Sequence, residues 1–144
     1  MIEIVAAHVT STAPAAAFFD RWADKSTWPQ WQPDMEWARL DGPFAAGSTG
    51  EVKPKGGPKV PFVIERLVPG REYVDVSRLL GARLTFDHQV QDTPDGGCRV
   101  TVRTTLSGPL ARLWLLILGK GLRASAQSDL DGLARVAEQA PSRS

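Results

Sequence analysis

Two histidines, His8 and His88, are the side chains of this 144-residue sequence whose ordinary pKa lies nearest neutrality. His88 falls in an alternating segment where Leu84, Phe86, His88 and Val90 share one face, opposite Arg83, Thr85, Asp87 and Gln89. An imidazole on the apolar face of a strand can donate, accept or shuttle a proton, and can orient a ligand carbonyl or hydroxyl. Acid–base catalysis would need a second polar group. Asp129 is the candidate, because helical spacing puts it at the edge of a stripe that holds Leu118 and Leu122, and a carboxylate in an apolar cavity has a raised pKa. The competing roles are a buried histidine satisfied by a neighbour, and a carboxylate paired with an arginine at the rim. His8 has no assignable facing, since Ile2, Ile4 and Ala6 share its side while Val5, Ala7 and Val9 take the other. Tyr73, the single tyrosine, alternates with Val74 and reads as lying at an edge or outside.

Other chemistries find no support. One cysteine, Cys98, rules out an internal disulfide framework and leaves no Cys/His cluster for zinc, so no metal site is expected and a reducing cytoplasm fits best. The glycines around Gly56 and Gly57 lack the spacing of a phosphate loop, and the GxSxG and HExxH patterns are missing, so no nucleotide or other cofactor is expected. Lys53, Lys55 and Lys59 beside that turn read as a solvated hairpin tip. With 17 basic and 16 acidic residues the chain offers no general field for nucleic acid. No secretory signal is read at the start, and the run Leu113 to Leu118 is far short of the roughly 20 residues that span a bilayer.

The elements that must position these side chains follow from the punctuation. Ile2 to Thr10 is a strand; Ser11 or Thr12 before Ala13-Pro14 signals a helix start, with Phe18, Phe19 and Trp22 gathered on one side of a helix running to about Ala23. Pro29 and Pro33 restrict the STWPQWQP stretch to a short second helix or turn holding Trp28 and Trp31. Turn signals at Gly42, Gly56-Gly57, Gly70, Gly81 and Gly96-Gly97 then divide the chain into six strands. After Ser107-Gly108-Pro109, the stripe Leu115, Leu118, Leu122, Ala126, Leu130, Leu133, Ala137 marks a long amphipathic helix. Gly119 and Gly121 leave a kink or two consecutive helices open.

This order of parts, Thr12-Ala13-Pro14 before an aromatic-bearing helix, the Trp28-Pro29-x-Trp31 corner and Leu106-Ser107-Gly108-Pro109-Leu110 opening the last helix resemble the START-related polyketide cyclase/dehydrase and lipid-transport family, whose helix-grip fold is that of the major birch pollen allergen. The resemblance implies an α+β domain over residues 1–140, with a flexible tail at 141–144. A curved seven-stranded antiparallel sheet would wrap a long C-terminal helix, with two short helices between strands 1 and 2. It implies a pocket and names no reaction.

A curved sheet closed by one helix leaves a hollow, here expected at about 300–1,000 Å³. Alternation and the helical stripe nominate Trp31, Met35, Trp37, Phe62, Ile64, Val74, Val76, Phe86, His88, Leu118 and Leu122 as its apolar, aromatic-rich lining. Carriage of a small hydrophobic molecule, aromatic, polyketide-like or lipidic, is the leading expectation. The second is a cofactor-free cyclase, dehydratase or isomerase using His88 and Asp129. The third is a protein-interaction domain, with the Trp28/Trp31 corner and Leu113 to Leu118 as an exposed patch that could also form a homodimer.

Overall fold

The computed structural model describes residues 1–139; residue 140 and the tail expected at 141–144 lie outside the described residues. Strand β1 (Ile2–Ser11) is followed by helix α1 (Ala15–Ala23) and a 3₁₀ segment (Lys25–Gln30). Six more strands follow: β2 (Met35–Leu40), β3 (Thr49–Pro54), β4 (Val60–Val68), β5 (Glu72–Leu79), β6 (Ala82–Asp92) and β7 (Cys98–Ser107). Helix α2 (Ala111–Gln139) ends the described chain. The strands form one antiparallel sheet in the order β1-β7-β6-β5-β4-β3-β2, in which only the β1–β7 contact is not between sequence neighbours. This is the expected helix-grip architecture, a curved sheet closed around its C-terminal helix.

Helix α2 runs unbroken for 29 residues through Gly119 and Gly121. Its apolar stripe explains the continuity: Leu130, Leu133, Ala134 and Ala137 are buried in the main core with Phe18, Trp22, Trp28 and Trp31, so packing outweighs the propensity cost of the glycines. The start of α1 has no hydroxyl cap, although Ser11 and Thr12 precede it. Pro14 occupies the capping position without a side-chain bond, while the Ser11 hydroxyl accepts from the Ala13 N–H (3.1 Å) and donates to Glu138 at the far end of α2 (2.5 Å).

Three bulges control which side chains face the helix. In β1 the register shifts between Glu3 and Val5, so Val5, Ala7, Val9 and Ser11 follow the inward residues of β7 and His8 is exposed on the other side. Similar shifts occur in β2 between Met35 and Trp37 and in β4 between Ile64 and Arg66.

Candidate functional site

A cavity of about 220 Å³ lies between the sheet and α2, smaller than the volume expected from the hollow-fold argument. Strands β6 and β7 supply Phe86, His88, Val102 and Thr104 as one wall. Leu122, Ser125, Ala126, Asp129, Leu130 and Leu133 form the opposite wall on α2, and Trp22 closes the α1 side. The 3₁₀ corner and the start of β2 contribute Trp31, Gln32, Asp34 and Met35, with Pro54 from β3. Gly132 lets this corner approach α2 closely: a Cβ there would stand 3.3 Å from the Trp31 carbonyl oxygen. The reduced volume has a physical cause in the side chains themselves, since two indoles and three leucines occupy much of the concave space.

His88 is buried and held on three sides. Its ring stacks on Tyr73 (4.7 Å between centroids, 18° between planes) and packs against Trp22 at 4.9 Å. Nδ1 lies 2.8 Å from the Tyr73 carbonyl, which in the neutral ring makes Nδ1–H the donor and Nε2 the lone-pair acceptor. Burial lowers the imidazole pKa below its ordinary value, only partly opposed by the Asp75 carboxylate, so the ring is uncharged at neutral pH. Asp129, half-buried on the α2 wall, has its carboxyl pushed up to about 6, first by desolvation and then by the like charge of Asp34 on the same cavity. The site therefore combines an acceptor imidazole with a carboxyl that takes up a proton near neutrality.

Of the residues nominated from sequence, Trp31, Met35, Phe86, His88, Leu122 and Asp129 come together around the cavity. The others lie elsewhere. Met35 pairs with Pro54 but Trp37 pairs with Lys53, so the β2 bulge turns Trp37 to the opposite face, where it stacks on Arg39 at 5.8 Å. Phe62 and Ile64 do face inward but are buried beside Tyr73 in the core rather than on the cavity. Leu118 packs with Trp114 and Leu115 against Leu84 and Leu106. Val74 and Val76 correct a reading of β5: Tyr73 pairs with His88 and Asp75 with Phe86, so Tyr73, Asp75 and Ser77 face the helix side, and the two valines take the opposite face of the sheet, where they are buried away from the cavity.

Tyr73, read from sequence as peripheral, is fully buried at the centre of a polar network that alternation missed. The Lys25 ammonium, 4% exposed, donates to the Tyr73 hydroxyl (2.8 Å), which donates to Asp75. Four aromatic rings surround that ammonium, Trp28 at 3.9 Å, Tyr73 at 4.9 Å, Phe62 at 5.2 Å and Phe44 at 5.6 Å. Desolvation lowers the Lys25 pKa to about 8 despite the attraction of Asp75. Burial, followed by the Asp75 charge, raises the Tyr73 pKa well above its ordinary value. The network fastens the 3₁₀ segment to β5, and so seats the Trp31 corner over the cavity beneath His88's supporting ring. Among the cavity residues that sequence reasoning overlooked, Val102 was accessible through the β7 alternation and Ser125 through its i,i+4 relation to Asp129.

Residues 3–138 match the family model described as polyketide cyclase / dehydrase and lipid transport. The chain belongs to this family. Among curated proteins, no sequence matches. Similar solved structures include protein MLL2253 from Mesorhizobium loti (12% identity, TM-score 0.74, covering 94% of this chain and 96% of that one). Another is TTHA0849 from Thermus thermophilus (17%, 0.72, 96% and 99%). A third is norcoclaurine synthase from Thalictrum flavum, solved with dopamine and hydroxybenzaldehyde (11%, 0.73, 96% and 88%). At these identities the likeness shows the fold alone, and no residue role carries over.

Proposed function

We propose that this member of the family binds and carries a small ring-bearing molecule with one hydroxyl, which donates to His88 Nε2. The observation that supports this reading is the neutral, oriented imidazole on a wall it shares with Phe86, Val102 and Thr104. A dry cavity of about 150 Å³ is enough for benzene, so about 220 Å³ suits one substituted ring or a fused pair better than a long acyl chain. The polar edge formed by Thr104, Ser125 and Asp129 would orient substituents.

Isothermal titration with naphthol, methylnaphthalene and a linear fatty acid tests the reading. Naphthol should bind most tightly. His88→Phe should weaken naphthol by about tenfold, the worth of one hydrogen bond, and leave methylnaphthalene nearly unchanged. Preference for the fatty acid, or equal loss of both ring compounds, would refute it. A second reading, cofactor-free cyclisation, dehydration or isomerisation, draws on the Asp129 carboxyl with its pKa of about 6 in the same cavity as His88. In that case His88 takes a proton at Nε2 and Asp129 returns one, and His88→Phe would abolish turnover of a bound compound.

A further inference from the structure

Helix α2 changes character along its length. Its later turns expose Gln127, Ser128, Arg135 and Glu138, the expected polar side of an amphipathic helix. Its first turns are apolar on both sides: Leu115, Leu118 and Leu122 pack toward the sheet, while Leu113, Leu116 and Ile117 point away from it and are 50%, 84% and 60% exposed. The β5–β6 turn stands alongside, with Leu80 81% exposed. The Trp114 indole N–H donates to the Leu80 carbonyl (2.8 Å), and the Leu110 N–H donates to the Gly81 carbonyl (2.9 Å), so turn and helix form one surface. Five of the seven large apolar side chains that are exposed among the described residues lie in this patch.

The charges carried by the segments that form it are all of one sign. Arg78 and Arg83 are directly opposite each other across β5 and β6, an arrangement that like charges disfavour in the absence of an anion. Arg112 and Lys120 are exposed along the helix. Among the described residues none of these four forms an ion pair. No Asp or Glu occurs in residues 76–86 or 107–128, although the chain holds 16 of them.

We propose that this end of the molecule docks on the surface of an anionic lipid bilayer. Leu80, Leu113, Leu116 and Ile117 enter the boundary between headgroups and acyl chains, and Arg78, Arg83, Arg112 and Lys120 meet lipid phosphates. A second copy is the poorer occupant, because a two-fold contact would set four uncompensated cations against four more. An anionic bilayer supplies both missing complements, negative charge and apolar depth for side chains that protrude.

Co-sedimentation of the intact protein with phosphatidylcholine vesicles, with and without phosphatidylglycerol, tests this. Binding should require phosphatidylglycerol and weaken as salt is raised. Arg78→Gln with Arg83→Gln should lower the partition coefficient by about thirtyfold, and Leu116→Ser with Ile117→Ser by more than about tenfold, both with unchanged far-ultraviolet circular dichroism. No binding by the wild type, or equal binding to both vesicles, overturns the proposal. So does a dimer in light scattering that Leu116→Ser with Ile117→Ser dissolves while vesicle binding is absent.

Discussion

Removing single members of the Lys25–Tyr73–Asp75 network should be far more damaging than replacing all three by apolar side chains. Asp75→Leu leaves the Lys25 ammonium, 4% exposed, without its anion. Truncating one partner of a buried pair costs about 3–5 kcal/mol, because an uncompensated charge remains in a low-dielectric interior. Tyr73→Phe removes the hydroxyl that accepts from Lys25 and donates to Asp75. Two charge-assisted hydrogen bonds at about 1.5–3 kcal/mol each give a similar loss. The triple replacement Lys25→Met, Tyr73→Phe, Asp75→Leu removes every polar group of the set at once, and the surrounding rings of Trp28, Phe44 and Phe62 already offer it apolar walls. Its stability should fall within about 1–2 kcal/mol of wild type, or exceed it. Urea unfolding of the three single variants and the triple measures this directly. A triple variant whose loss equals the sum of the singles would show that the three groups do not act as one network, and the reasoning would fail.

Two further outcomes follow from the same structure. The native Lys25 ammonium loses its proton near pH 8, whereas the unfolded side chain holds one to about 10.5, so between those values the unfolded chain binds more protons and stability rises with pH. Unfolding free energy should increase by about 2 kcal/mol from about pH 7 to about pH 9.5, and Lys25→Met should abolish the rise; a flat wild-type profile would contradict the burial argument. Gly50→Ala would put a Cβ 2.1 Å from the Arg39 carbonyl oxygen and 2.6 Å from the Phe62 ring, so it should cost at least about 2 kcal/mol and lower the thermal midpoint by roughly 5 °C or more.

Much of the fold was legible because its signals are local. Pro14 and the turn glycines mark the element ends, and the stripe from Leu115 to Ala137 marks α2, whatever the rest of the chain does. The alternation of β6 likewise gave the correct facing of Phe86 and His88, since that strand has no bulge and a regular register on both sides. Strand 1 resisted a reading for the opposite reason. The irregularity between Glu3 and Val5 inverts the parity within the strand, so its two halves report opposite faces and His8 could not be assigned. The same device separated Met35 from Trp37, residues whose spacing promised a common face.

Strand β5 failed differently. Its register with β6 is regular, but Tyr73, Asp75 and Ser77 face the helix side while Val74 and Val76 are buried on the other face, so a rule that puts apolar side chains on the cavity side selects the wrong face. What makes the polar face an interior one is Lys25, 48 positions away from Tyr73 in the chain, which brings a countercharge and a donor to the buried side. By itself, then, the sequence determined the element order and the inward His88, because each depends on periodicity and turn chemistry within a few residues, and the likeness of that order and its motifs to a known family implied the helix-grip class. The tertiary structure alone decided the size of the cavity, the pairing of His88 Nδ1 with the Tyr73 carbonyl, and the exposed patch that joins Leu80 to α2. Those depend on where bulges reset a strand and on which distant groups satisfy a buried charge, and neither is written in any one segment.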